Sequence, residues 1–418
     1  MALRTIFHVD VNSAFLSWSA AEHLLMGGTT DYRTIHSAVA RPSKDGRGII
    51  LAKSESAKKM GVSTGEPVWM AREKCPDLHL VPPNYGLYLR ASTAMKKIFF
   101  DYSPAVESFS IDECFIDMTG QEKFFGPALA AAYDLKERVK KELGFTVNIG
   151  IGNTKATAKM ASEFEKPDRV HTLWNRELET KLWPLSIEHL FMAGRRTVKK
   201  LRKIGITTVG EMAQAHLDLL RGVLGKQGIL LRNYANGLDD SPVLEGPPEP
   251  PKSVSQSVTL PFLLKNQEEA APIMLCIADH LADKLRKKSM AASVVAVGVK
   301  DRNHIYQGKQ CCPLEKVLHR RDIYQYAMNL LAQLWPSKGD VKYLGIHLGG
   351  LTFDCSVENT LFGRDIVRDE RLEEAVFRIR SRYGDQSIIP ARLLYSNTTS
   401  LFRDFEEDGE NNLPPRFF

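Results

Sequence analysis

The chain has 418 residues, 43% of them hydrophobic and 25% charged, with a formal net charge of +6. That is too long for one ordinary domain and has the balance of a globular protein of about two to four domains. No apolar run approaches the ~20 residues needed to span a bilayer. The N-terminus enters a strand with no signal-peptide pattern, and six cysteines without CxxC or zinc spacing fit a reducing, cytoplasmic setting.

Thr5 to Val11 reads as a buried strand carrying a single acid, Asp10, and a helix follows from Ser13 to Leu25. Acids are seldom buried without a partner, so Asp10 requires a cation or a hydrogen-bond network. A small lobe follows, in which the turn Gly46-Arg47-Gly48 leads into a strand at Ile49–Ala52. There Ser54 is an N-cap candidate for a short helix bearing Lys58 and Lys59. A helix from Asn84 to Asp101 precedes Ser108–Asp117, which reads as two short strands meeting at a turn that holds Asp112 and Glu113. Neighbouring carboxylates raise each other's pKa unless a cation lies between them, and Mg2+ is the natural cation for such oxygen ligands. Three carboxylates from two strands suit a two-metal site for phosphoryl transfer.

A helix at Gly126–Leu143 and a strand at Thr146–Ile151 complete an α+β pattern: strand, helix, hairpin, helix, strand. This predicts a ferredoxin-like sheet with helices on one face, in which Asp10 lies beside the Asp112–Glu113 turn. Gly150-Ile151-Gly152-Asn153-Thr154-Lys155 matches neither a P-loop nor a dinucleotide fingerprint and reads as a turn into a helix at Thr154–Glu165. On that helix, Lys159 and Lys166 are seven residues apart and share a face. Next, Met192-Ala193-Gly194-Arg195-Arg196-Thr197 opens a strongly basic stretch that includes Lys199, Lys200, Arg202 and Lys203. Prolines between Pro242 and Pro251 mark a semi-rigid linker.

Beyond it, Ser253–Phe353 reads as β-rich, with strands at Val254–Leu260, Ala292–Lys300 and Tyr343–Leu351 and helices at Glu268–Lys287 and Arg321–Trp335. Its net charge is about +5, against about −3 for the residues that follow, which favours contact with a polyanion. The tail holds Glu358-Asn359-Thr360-Leu361-Phe362, an amphipathic segment Arg371–Arg382, and Pro414-Pro415-Arg416-Phe417-Phe418, a second apolar docking peptide or a disordered end.

His-Val-Asp-Val-Asn-Ser-Ala-Phe (from His8), Ser110-Ile111-Asp112-Glu113-Cys114 and Ala158–Pro167 occur in the order of the Y-family of translesion DNA polymerases, and the chain resembles that family from about residue 5 to 395. The resemblance implies a multidomain α+β polymerase shaped like a right hand. Its palm would be 1–26 and 77–171, its fingers 27–76, its thumb 172–240 with a helix-hairpin-helix, its linker 241–252, its little finger 253–354, and its tail 355–418. It implies that Asp10, Asp112, Glu113 and the Val11 carbonyl hold two Mg2+ ions, for which Mn2+ substitutes, and that Phe15 is the steric gate against ribose. Lys58 and Lys166 would contact the triphosphate. Gly194, Arg195, Lys287 and Lys288 would meet the DNA backbone, and Leu361 and Phe362 a sliding clamp. The implied partners are primer–template DNA and dNTPs, the implied state a monomer.

The sequence departs from the family at three places. Glu55 stands where many relatives carry a tyrosine facing the triphosphate, so it either turns to solvent or lowers nucleotide affinity. Met192 replaces the first glycine of the hairpin turn, and Glu358 and Asn359 replace the usual Gln and Leu of the clamp peptide. Two other classes compete: a non-catalytic DNA- or clamp-binding accessory protein, which all three carboxylates argue against, and a nucleotide cyclase on the same palm, which leaves the hairpin and the basic C-terminal domain without a role.

Overall fold

The computed structural model describes residues 4–41, 48–246, 250–335, 340–353, 366–384 and 387–394. The Gly46-Arg47 turn, Pro247 and Pro248, the clamp peptide with Leu361 and Phe362, and Pro414–Phe418 lie outside these residues. The chain forms two compact units, one ending at Pro248 and one running from Glu249 to Gly409. No helix among the described residues is long and apolar enough to cross a membrane.

The first unit opens with β1 (Ile6–Val11) and α1 (Ala14–Leu25). A lobe follows with β2 (Ser37–Val39), β3 (Ala52–Lys53), α2 (Glu55–Lys59), α3 (Val68–Lys74) and β4 (His79–Val81). The chain returns through α4 (Tyr85–Phe100), β5 (Val106–Ser108), β6 (Glu113–Asp117), α5 (Glu122–Phe125), α6 (Ala128–Leu143), β7 (Val147–Gly152), α7 (Lys155–Ser162) and β8 (Val170–Leu173). These strands make a five-stranded sheet in the order β5-β6-β1-β7-β8. Ser54 caps α2 as expected and accepts from Ala57 N at 3.1 Å; Asn84, expected as the first residue of the helix, is instead the cap of α4 and accepts from Leu87 N at 3.0 Å.

Side-chain alternation on β1 decides what each face buries. Phe7, Val9 and Val11 enter a core with residues of α1, α4 and α6, while Ile6 packs with Phe115 and Ala158 on the opposite face. The sheet therefore carries α7 on its second face, not helices on one face alone. Two glycines allow this: a Cβ on Gly150 would lie 2.1 Å from Ala158 O, and one on Gly152 would lie 2.3 Å from Thr157 Oγ1. The glycine-rich stretch is the end of β7, stripped of side chains so that a helix can approach its backbone.

The lobe after α1 has its own three-stranded sheet, β3-β2-β4, and a core of nine buried residues. Parallel pairing of β4 with β2 carries it to Val81, past the boundary expected at residue 76. The remainder of the unit is helical: α8 (Arg195–Lys203), α9 (Val209–Gln214), α10 (Leu217–Leu224) and α11 (Lys226–Ala235).

The second unit holds β9 (Ser253–Leu264), α12 (Gln267–Lys287), β10 (Val294–Asp301), β11 (Tyr306–Cys311), α13 (Arg320–Leu334) and β12 (Val341–Gly349). Its sheet order is β11-β10-β12-β9. Two further helices, α14 (Ile366–Tyr383) and α15 (Ala391–Leu394), belong to the same unit. The expected tail is thus in part domain: Arg380, only 4% exposed, donates to Asp279 at 2.7 Å and Asp283 at 2.9 Å on α12. Glu373 of α14 accepts from Arg286 at 2.7 Å and lies 3.1 Å from His319 Nδ1.

Candidate active site

Asp10 and Glu113 stand directly opposite each other in the antiparallel β1–β6 ladder, on the face covered by α7. Two like charges so placed repel, and both are largely buried, with side chains 10% and 17% exposed. Helix α7 supplies the remedy. Lys159 Nζ lies against Glu113 and 3.6 Å from Asp10, while Lys166 Nζ donates to Asp10 Oδ2 at 3.0 Å. Glu163 joins the network, accepting from Lys159 at 3.1 Å and Lys166 at 3.0 Å.

Burial pushes the Asp10 carboxyl up to about 7 against the pull of the Lys166 ammonium, and the neighbouring Glu113 adds to the rise. Burial also works against both ammonium groups, yet the surrounding carboxylates hold Lys159 and Lys166 above the ordinary lysine range. Because α7 ends at Ser162, Lys166 lies in the turn beyond it, and the two lysines converge on Asp10 without sharing a helical face.

The loop that carries Lys166 is held from beneath. Asn148, fully buried on β7, donates to Glu165 O at 2.6 Å and Ser162 O at 3.2 Å. Its Oδ1 accepts from Asn12 Nδ2 at 3.1 Å and Arg169 N at 3.2 Å. Asn12 in turn accepts from Asp168 N at 2.8 Å.

Beside the carboxylates is a cavity of about 180 Å3 lined by Val11, Ser13, Ala14, Phe15, Asp112 and, from the β3 lobe, Leu51, Ala52, Lys53 and Thr64. Ser13 adopts a left-handed φ of 48° between β1 and α1, the turn that brings strand end and helix start to one cavity. Phe15 is stacked on Tyr88 at 4.4 Å with the rings 5° from parallel. Asp112 belongs to this cavity; its Oδ1 accepts from Ser110 Oγ at 2.6 Å, and its carbonyl accepts from Val11 N at 3.1 Å.

The structure therefore brings Asp10, Glu113 and Lys166 together and places Asp112, Val11 and Phe15 on the adjoining cavity. Carboxylate oxygens of Asp10, Glu113 and Glu163 lie within 4.8 Å of one another, a set that does not include Asp112. Lys58 does not line the cavity; it pairs with Glu55 at 3.3 Å, both exposed, so Glu55 is partnered at the surface. Lys53 takes the inward place, its Nζ donating to Thr64 Oγ1 at 3.1 Å. Neither Lys53 nor Glu163 was expected from sequence. Glu163 was within reach of it, four residues from Lys159 and three from Lys166, whereas nothing local distinguishes Lys53.

Gly194 and Arg195 line a groove of about 800 Å3 with Lys199, Arg202 and Lys203 at the start of α8. Met192, which stands where the resemblance implies a glycine, holds a left-handed φ of 68°. Lys287 and Lys288 are exposed at the C-terminal end of α12.

Residues 9–163 match the impB/mucB/samB family, and residues 251–361 match the C-terminal domain of that family. The DNA polymerase IV of Clostridium acetobutylicum is 37% identical over 395 residues, covering 94% of this chain and 98% of that protein. DNA polymerase IV 1 of Bacillus subtilis is 32% identical over 414 residues, covering 97% and 98%. A solved Y-family DNA polymerase chimera shares the fold with a TM-score of 0.73 at 20% identity, over 84% of this chain and all of that one. Similarity that runs through both units and nearly the whole length of these relatives makes the chain a member of the impB/mucB/samB family, a DNA polymerase of the Y-family.

Proposed function

We propose that the chain extends a primer 3′-end with dNTPs on a template, at low fidelity and past damaged bases, by two-metal phosphoryl transfer. The observation that carries this reading is the pairing of Asp10 with Glu113 on two adjacent strands, beside a cavity lined by Asp112 and Phe15. The donors are of the type Mg2+ takes: carboxylate oxygens of the largely buried Asp10 and Glu113 cluster with the exposed Glu163, and two ammonium groups already stand where cations neutralise them. Asp10, Asp112, Glu113 and the Val11 carbonyl would hold the ions. When bound, the ions lower the pKa of the primer hydroxyl and neutralise charge on the triphosphate.

The remaining roles belong to this chain's own side chains. Phe15, braced by Tyr88, presents a ring edge where a 2′-hydroxyl would lie. Lys166, which pairs with Asp10 in this structure, would contact the β- and γ-phosphates, and Lys53 would add a second cation from the cavity lining. A lobe with so small a core closes weakly over a base pair, which favours tolerance over accuracy. Gly194, Arg195, Lys287 and Lys288 hold the DNA backbone without reading sequence. The Leu361–Phe362 peptide is the reading for a sliding clamp, and a cytoplasmic monomer is the expected form.

The test is gel-resolved primer extension with Mg2+ and four dNTPs, wild type beside Asp112→Ala. Wild type should add nucleotides, while the variant binds primer–template normally and adds none. Extension by the variant would sink the metal assignment.

A further inference from the structure

We infer that His36, Cys75 and Asp77, in the small lobe, form a second metal site selective for a thiolate-seeking divalent cation such as Zn2+. His36 ends the segment entering β2, and Cys75 and Asp77 lie in the turn between α3 and β4, which pairs parallel to β2. His36 Nδ1 lies 3.0 Å from Asp77 Oδ2, and Cys75 Sγ donates to Asp77 Oδ1 at 3.3 Å. All three donor atoms fall within 4.8 Å of one another. Ligand atoms on a tetrahedral zinc lie roughly 3.3–3.8 Å apart, so closure around an ion needs movement of under about an ångström and a half.

The chemistry of the set separates it from the catalytic carboxylates. One sulfur, one imidazole nitrogen and one carboxylate oxygen suit Zn2+ or Co2+, whereas Mg2+ takes oxygen alone. Cys75 is fully buried, but Asp77 is exposed with 71% of its side chain accessible and His36 is partly so, which leaves an entry path and a fourth position for water. None of the three lines the cavity at Phe15. The site would clip the start of β2 to the turn before β4, stapling a lobe whose core is small, a setting in which structural metals add stability. Binding replaces the thiol proton by the metal and releases that proton to solvent. The sequence hid the site because its third ligand stands 39 residues before Cys75, with no paired spacing.

The experiment titrates the full-length, metal-stripped protein with Co2+ at pH 8 and follows thiolate-to-cobalt charge-transfer absorption. The expected result is a band saturating at one equivalent, displaced by Zn2+ and untouched by excess Mg2+. It should be absent in Cys75→Ser and need at least tenfold more Co2+ in Asp77→Asn and in His36→Gln. Asp77 is exposed, so Asp77→Asn should fold as wild type and keeps the test decisive even if Cys75→Ser does not. Zn2+ should raise the melting temperature of wild type but not of Asp77→Asn. Absence of the band, its persistence in Cys75→Ser, or equal Co2+ affinity in Asp77→Asn would overturn the site.

Discussion

Replacing Asn148 by alanine isolates how the fold presents Lys166 to the nucleotide. The amide makes four hydrogen bonds inside the protein, two donated to the carbonyls of Ser162 and Glu165 and two accepted from Asn12 and Arg169. At about 1 kcal/mol net for each, and with buried partners left unpaired, the loss should total about 3–4 kcal/mol. Urea denaturation followed by tryptophan fluorescence measures it, since Trp18, Trp69, Trp174 and Trp183 all lie in the first unit. The functional arm is single-nucleotide extension under conditions where the variant remains folded. Glu165 and Arg169 bracket Lys166, so loosening them should raise the KM for dNTP about tenfold, equivalent to about 1.4 kcal/mol of binding. In a Lys166→Ala background the same Asn148→Ala change should add almost nothing to KM, because the amide acts through that lysine. A stability loss under about 1 kcal/mol, or a full tenfold KM effect in the Lys166→Ala background, would refute this reasoning.

Phe15→Ala should raise ribonucleotide incorporation in competition assays while costing stability through the lost stack on Tyr88; an unchanged dNTP/rNTP ratio means the ring is packing alone. Met192→Gly should stabilise the first unit by about 0.5 kcal/mol, because relief of left-handed strain slightly exceeds the added freedom of the unfolded chain. It should leave primer–template affinity equal or tighter, and a clear drop in stability would show that the Met192 side chain has a packing role. For the second unit the pH dependence has a definite sign. The hydrogen bond to Glu373 raises His319 above its ordinary 6.5 despite burial, so this pairing contributes fully below 6.5 and is lost as pH rises through the higher folded-state value. Melting of the second unit should therefore fall from pH 6 to pH 8, and Glu373→Gln should flatten that slope. A slope unaltered by the substitution would remove His319 from the account.

What the sequence disclosed, and what it withheld, follows the range of the forces involved. β1 with Asp10, the Asp112–Glu113 turn and the Ser54 cap are written in adjacent residues, where alternation and hydroxyl capping act. β4 was missed because a three-residue strand gains its identity only by pairing with β2, 42 residues earlier in register. The docking of α14 was missed for a similar reason. Arg380 reaches Asp279 across 101 positions, and an amphipathic helix in isolation reads the same whether it meets a domain or solvent. Gly150 and Gly152 looked like a turn because glycine's two uses, freedom of φ and absence of bulk, leave one signature. The expected Lys58 lies on the five-residue α2, where no local periodicity fixes which side meets the cavity, whereas the observed Lys53 ends β3, a two-residue strand defined only by its pairing with β2.

The ionic arrangement at the site explains why its residues are as they are. An antiparallel ladder that sets Asp10 opposite Glu113 is a liability in an ordinary sheet, since burial and like charge both drive the carboxyls toward protonation. Two glycines on β7 let α7 approach closely, and that approach delivers Lys159 to both acids. Lys166 and Glu163 then extend the network, so that three carboxyl groups face two ammonium groups. A fully neutralised cluster would have little affinity for a divalent ion, and one without lysines would strain the sheet whenever ions were absent. The observed count lies between these limits. In the proposed mechanism a metal ion would take over the neutralising role that these ammonium groups have here. Asp112 lies outside this cluster, on the cavity with Phe15, and joins the ion-holding set only in the proposed mechanism.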